Sequence, residues 1–229
     1  MSLDHVAIIP DGNRRWATAH LLLPWQGHEE GVKRFWEIAN ANSESEIKYT
    51  TFWAGSYSNL RDRTEKEVAV LFKILKTELS RREVKDQLNQ TRTSFQVIGE
   101  WKDFSKDPEL DDVIKHIEQE TKDHKNHTLT ILFGYDGQRE MLSAVESIKQ
   151  SGEEINAENL RTYLWTGKLP DVDYVIRTGG EPHWSAGFMM WHTANSQFYF
   201  TEDLWPDFKT DKLKTAIEDF DSRERRFGK

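Results

Sequence analysis

The run His-Val-Ala-Ile-Ile-Pro-Asp-Gly-Asn-Arg-Arg-Trp-Ala, residues 5–17, holds the change of pattern on which the fold turns. Residues 5–9 form a short apolar run that reads as a strand, stopped by the turn chemistry of Pro10, Asp11, Gly12 and Asn13. Residues 14–20 then open a short helix. A helix start offers free backbone N–H groups and the positive end of a dipole, which together suit an anion. Gly12 lets the backbone approach a ligand closely, and Arg14 and Arg15 add fixed charge matched to phosphate oxygens. Asp11 opposes that charge unless a cation joins them. Mg²⁺ shared between a carboxylate and substrate phosphates resolves the conflict. The competing reading of the tripeptide is a tight turn with no ligand.

Outward from this run the pattern alternates. Further strands are predicted over 49–54, 94–98, 128–133, 172–176 and 197–201, and helical spacing over 28–42, 65–82, 108–122, 138–150, 157–165 and 211–220. The longest helical pattern is 65–82, with Val68, Leu71, Phe72, Leu75 and Leu79 on one stripe. Six strands separated mostly by helices predict an α/β fold. A single domain spanning 1–229 would carry a central, mostly parallel six-stranded sheet covered by helices. The polar stretches 40–46 and 56–64 read as surface loops. Ligands of open α/β sheets bind beyond the carboxyl ends of the strands. The site is therefore expected among 11–15, 56–63, 177–185 and the stretch after Thr201.

Composition narrows the function classes. The chain has 229 residues, with 31 Lys+Arg against 39 Asp+Glu for a net charge of −8, and no cysteine. Disulfide frameworks, thiolate metal sites and cysteine nucleophiles are excluded. A general nucleic-acid binder would carry a basic field, so no nucleic-acid partner is expected. Nine tryptophans and twelve phenylalanines are too many for disorder. No targeting signal opens the chain and no window reaches the ~20 apolar residues of a membrane span, so a cytoplasmic protein is expected.

Other candidates lie in the predicted loops. Arg177 followed by Thr178, Gly179, Gly180 and Glu181 suits phosphate recognition, or else a salt bridge with a flexible turn. Ser56, Asn59, Arg61 and Arg63 could close over an anion, or be merely solvated. His28 could donate to a phosphate or sit at a helix start with a local partner. The cations of 223–226 could complete a neighbouring anion site or be a solvated terminus. The aromatic segment 204–208 reads as a structural anchor.

Taken together, residues 5–17, Gly27-His28 with Gly31, Ala54 with Ser56 and Asn59, 175–181, 198–201 with 204–208, and 223–228 resemble the cis-prenyltransferase family, in family order along nearly the whole chain. The resemblance implies a helix-covered parallel sheet, usually a homodimer. It also implies Mg²⁺-dependent addition of isopentenyl diphosphate to an allylic diphosphate such as farnesyl diphosphate. The product would be a Z-polyprenyl diphosphate, released through peripheral membrane contact.

By the same resemblance, Asp11 holds Mg²⁺. Gly12, Asn13, Arg14 and Arg15, with the adjoining Trp16, cradle the allylic diphosphate, and Asn13 assists proton removal. His28 lies near that diphosphate. Ser56 and Asn59 belong to a mobile loop, and Arg63 matches that loop's arginine with a one-residue shift. Arg177 and Ser185 bind isopentenyl diphosphate, with His183 where a second arginine is usual. Arg226 and Gly228 belong to a terminal motif that reaches the partner's site. Gln197 replaces a glutamate that helps bind Mg²⁺. Pro24, Leu60 and Gly187 also depart from the family pattern. These departures leave two alternatives: a non-catalytic partner subunit, or a short-chain or branching synthase. Ala54, the 68–79 stripe and the 128–133 strand are expected to line a tunnel that Phe72 and Phe133 could plug.

Overall fold

The computed structural model describes residues 2–223; Arg226 and Gly228 lie outside the described residues. In chain order the elements are β1 (His5–Ile9), α1 (Asn13–Ala19), α2 (Pro24–Ser43), β2 (Tyr49–Ser56), α3 (Tyr57–Asp62), α4 (Glu65–Leu79), α5 (Arg82–Gln90), β3 (Thr93–Ile98), α6 (Pro108–Thr121), β4 (His127–Tyr135), α7 (Gly137–Ser151), α8 (Ala157–Tyr163), β5 (Tyr174–Arg177), β6 (Gln197–Phe200) and α9 (Thr210–Ser222).

The strands form one sheet in the order β3-β4-β2-β1-β5-β6, and every pairing is parallel. A parallel sheet covered on both faces wants continuously apolar strands, and all five residues of β1 are buried. Successive side chains of β1 serve opposite faces. Val6 and Ile8 join one core with Phe52, Ile131 and Trp205, while Ala7 and Ile9 join another with Trp53, Leu132, Val175 and Phe188. Many of the aromatics are core residues, since Trp205, Tyr135, Tyr174, Phe52, Phe188 and Phe208 are fully buried.

Three elements differ from the sequence reading. Pro24 opens α2 at its first turn, where a missing N–H costs nothing, so α2 starts before residue 28 and is the longest described helix. The 65–82 pattern ends at Leu79, and an extended Arg81 starts a separate α5 that buries Val84 and Leu88. The polar stretch after Ser56 is the helix α3, because the Ser56 hydroxyl accepts from Asn59 N at 3.0 Å and caps it. Among the described residues no helix is long and apolar enough to cross a membrane.

From β1 the chain places β2 on one side and β5 on the other. The reversal opens a crevice between the carboxyl ends of β1 and β5, where open α/β sheets bind ligands.

Candidate active site

Asp11 and Arg177 leave the sheet side by side. Ile9 is in register with Arg177 across the β1–β5 pair. Between the strand end and α1, Gly12 adopts φ +113°, and a Cβ there would come within 2.8 Å of Leu204. Only glycine satisfies both conditions. The turn is stitched to its neighbours: Thr178 Oγ1 (2.7 Å) and Trp205 N (3.0 Å) both donate to the Asp11 carbonyl.

The Asp11 carboxylate faces two guanidinium groups, Arg15 at 3.1 Å and Arg177 at 3.3 Å. Arg177 is buried and ties three segments together. It donates to Ser185 Oγ at 2.8 Å and to the His183 carbonyl at 2.7 Å, and faces Glu181 at 3.7 Å. Its Nε is buried without a partner. Ser185 Oγ also pairs with His183 Nε2 at 2.8 Å.

A cavity of about 910 Å³ opens over this junction, lined by Asp11, Gly12, Asn13, Arg14, Arg15, His28, Ser56, Asn59, Arg63, Arg177 and Ser185. Asp11 and Ser185, 174 residues apart in the chain, line this one space. Pro24, Trp53, Gly55 and Ser58 line it too. Ser58 and Gly55 belong to the β2–α3 junction and were not singled out from the sequence. Their signal is adjacency to Ser56.

Three predicted residues are placed elsewhere. Trp16 turns away: its Nε1 donates to Asp207 at 2.9 Å and its ring stacks on His20. His183 does not line the cavity; its carbonyl and Nε2 hold Arg177 and Ser185. Gln197 pairs with Tyr174 at the amino end of β6, three residues before the level of Arg177, and its Oε1 accepts from Arg223 at 3.4 Å. The strand register thus keeps Gln197 away from Asp11 within this chain.

Electrostatics divide the cavity. On the Asp11 side the cations have carboxylate partners. On the other side Arg14 and Arg63 have no described carboxylate within ion-pair distance. Burial and then the Arg14 charge hold the Arg63 guanidinium below its ordinary pKa. Burial, followed by Arg63 and Arg14, pushes His28 down to about 4, so its imidazole is neutral near pH 7. Two crowded, unpaired cations beside a neutral donor form a site that an anion relieves.

A second cavity of about 120 Å³ shares Pro10, Asn13, His28 and Ala54 with the first and runs on between Phe35, Phe52, Leu71, Leu75 and Phe133. Its walls are mostly apolar, with Glu78 among the lining residues. The Phe133 ring meets Phe72 edge-on at 5.1 Å. At the joint of the two cavities, Asn13 Oδ1 is buried without a partner. It packs on α2 only because residue 31 is glycine; a Cβ there would come within 2.2 Å of that oxygen.

No group of three or more His, Cys, Asp or Glu that could cage a metal occurs among the described residues. Asp11 is a single, partly exposed carboxylate lining the cavity, already faced by two arginines. That donor set fits a Mg²⁺ taking most of its ligands from phosphate and water, and would not fit a metal held by protein alone.

A switch-point crevice with paired and unpaired arginines, joined to a largely apolar channel, suits a ligand with an anionic head and an apolar tail. Residues 9–228 match the family model described as "Putative undecaprenyl diphosphate synthase". An isoprenyl transferase of Thermus thermophilus is 35% identical, over 98% of this chain and 88% of its own. A ditrans,polycis-undecaprenyl-diphosphate synthase of Pseudomonas syringae, farnesyl-diphosphate specific, is 38% identical over 98% and 90%. The crystal structure of lavandulyl diphosphate synthase from Lavandula x intermedia, in complex with dimethylallyl diphosphate, is similar with a TM-score of 0.90 at 31% identity, over 99% of this chain and 98% of that one. The chain belongs to the undecaprenyl diphosphate synthase family of prenyltransferases.

Proposed function

We propose that the protein condenses isopentenyl diphosphate with an allylic diphosphate, such as farnesyl diphosphate, to give a Z-prenyl diphosphate. In this reading the allylic C–O bond breaks and its electron pair leaves with the diphosphate. The isopentenyl double bond attacks the allylic carbon, a C–C bond forms, and a proton lost from the adjacent carbon restores the double bond. Arg14, Arg63 and neutral His28 receive the allylic diphosphate, where negative charge grows as the bond breaks. Arg177 and Ser185 hold the second diphosphate and fix its approach. Asp11 would hold Mg²⁺, which neutralises diphosphate charge when bound. The unpartnered oxygen of Asn13 supports a part in receiving the proton. The tail enters the apolar channel past Ala54.

The observation that carries this reading is the unpaired Arg14–Arg63 pair at the mouth of an apolar channel. The purified protein should incorporate labelled isopentenyl diphosphate into longer products with Mg²⁺ and an allylic primer. Asp11→Ala should abolish this, by roughly 10²-fold or more for a lost charge at the reacting diphosphates. No turnover with any primer would overturn the reading.

Two exposed apolar surfaces bear on assembly and location. The edge strand β6 stacks Phe198 on the part-exposed Phe200, which supports a homodimer through that edge. Leu21, Leu22, Leu23 and Trp25, exposed beside the cavity lip, support a peripheral membrane contact of a cytoplasmic enzyme.

A second reading, a short-chain or branching synthase, is favoured by the small volume of the apolar cavity and by the likeness to a synthase solved with a C5 allylic diphosphate. Product sizing with dimethylallyl diphosphate alone, and with isopentenyl diphosphate added, separates the two.

A further inference from the structure

Helix α3 shows the cavity Ser58 and Asn59 and ends at Arg63, yet its first residue points elsewhere. The Tyr57 ring carries the Arg139 guanidinium at 3.7 Å on one face and meets Phe104 at 4.9 Å, 68° from coplanar. Arg139 is itself fixed. Its Nε and Nη2 both donate to the Glu100 carboxylate, Nη2 at 2.8 Å, a forked pairing that holds the guanidinium plane in place. Glu100 follows β3, and Arg139 lies in the first turn of α7. Tyr57 is thus held by two segments of the rigid scaffold.

A helix of six residues does not persist on its own in water; what it packs against sets its position. Besides Tyr57, α3 has its Ser56 cap and the buried Leu60. Against these works the crowding of Arg63 and Arg14. Without an anion the two cations repel and bear outward on the end of α3, an effect that the nearby Glu67 carboxylate offsets in part. Once an anion sits between them the same charges draw it in.

We propose that Tyr57, Arg139 and Glu100 form a clamp behind α3 that holds Arg63 in its anion-receiving position against this repulsion. They are positioning residues, acting on the anion only through Arg63. The proposal rests on the reading of the cavity as a diphosphate site. A clamp of this kind preorganises the free protein, so weakening it lets α3 retreat and makes binding restore the helix.

The test is calorimetric binding of inorganic diphosphate to the full chain, a readout that needs no turnover. Tyr57→Leu should weaken binding about fivefold, the worth of one partly exposed cation–ring contact. Tyr57→Phe keeps the ring and should bind like the wild type. Arg139→Gln should weaken binding by up to as much as Tyr57→Leu, and the double variant should be no weaker than Tyr57→Leu alone, because the leucine already removes the contact that Arg139 makes. Hydrogen exchange should quicken over residues 57–63 in the weakened variants alone. Should Tyr57→Leu misfold, Arg139→Gln carries the same test. Unchanged affinity in these variants, a loss shared by Tyr57→Phe, or additive losses in the double variant would overturn the clamp. Failure of the wild type to bind diphosphate would instead remove the cavity reading, and the clamp with it.

Discussion

His5 shows how one residue ties chemistry to stability. It is fully buried in β1, where Nδ1 lies 3.1 Å from the Pro170 carbonyl and Nε2 2.9 Å from Thr51 Oγ1. A carbonyl only accepts, so Nδ1 carries the proton and Nε2 accepts from Thr51. Burial, partly opposed by the Pro170 bond, pushes its pKa down to about 4. The unfolded chain, near 6.5, takes up the proton first as pH falls. The contribution of neutral His5 is therefore fully present above about pH 6.5 and lost as pH drops toward 4. Between pH 7 and pH 4.5 the wild type should lose roughly 2 kcal/mol more stability in urea unfolding than His5→Gln, which keeps the loss contributed by the similarly depressed His28. A flat wild-type profile would count against this. At this scale the first loop stood out by its turn chemistry and charge, whereas His28 and Arg63 were carried by the family resemblance; Asp11, Arg14, Arg15, His28 and Arg63 all line the cavity. Trp16 does not line the cavity, for a geometric reason. Arg14, Arg15, Thr18 and Ala19 share the cavity face at helical spacing, and residue 16 lies a further 100° round, toward Asp207.

The contact of α1 with α2 is an element-scale device. Gly27 and Gly31 lie one turn apart on α2, and the backbone of Asn13 and its side chain fill the space left by their missing Cβ atoms. Gly31→Ala should displace Asn13 and lower turnover at least tenfold. Its effect on stability should be of overpacking size, about 1–3 kcal/mol. Steady-state rates compared with thermal unfolding check this; full activity would show that the Asn13 position is not critical. Amphipathic helices such as α4, α6 and α7 were legible from their apolar stripes. The helix α3 was not. Five of its six residues are polar or aromatic, only Leu60 is buried, and a Ser cap looks like any polar loop until its bond to Asn59 is seen.

At the scale of the whole molecule, alternation of strands and helices predicted the parallel sheet, whereas the order of its strands came only with the structure. Strand order is set by which faces pack, a long-range property that no window of sequence contains. The same holds for the channel floor. Phe133 on β4, one strand in from the β3 edge, belongs both to the core and to the channel wall. Phe133→Ala should therefore do two things at once: cost about 3–5 kcal/mol of stability and, in the enlarged channel, shift products to longer chains. Product chromatography beside denaturant unfolding reads both effects. Unchanged product length with reduced stability would make Phe133 a core residue alone.

The β1–β5 junction has a consequence in time. Asp11 and Arg177 meet in space but stand 166 residues apart in the chain. At a synthesis rate of about 5–20 residues per second, Asp11 emerges from the ribosome on the order of ten seconds or more before Arg177 exists. Through that interval β1, destined for the middle of the sheet, has no partner on its β5 side. A nascent chain stalled before residue 174 would carry one half of the cradle and a central strand unpaired on one side.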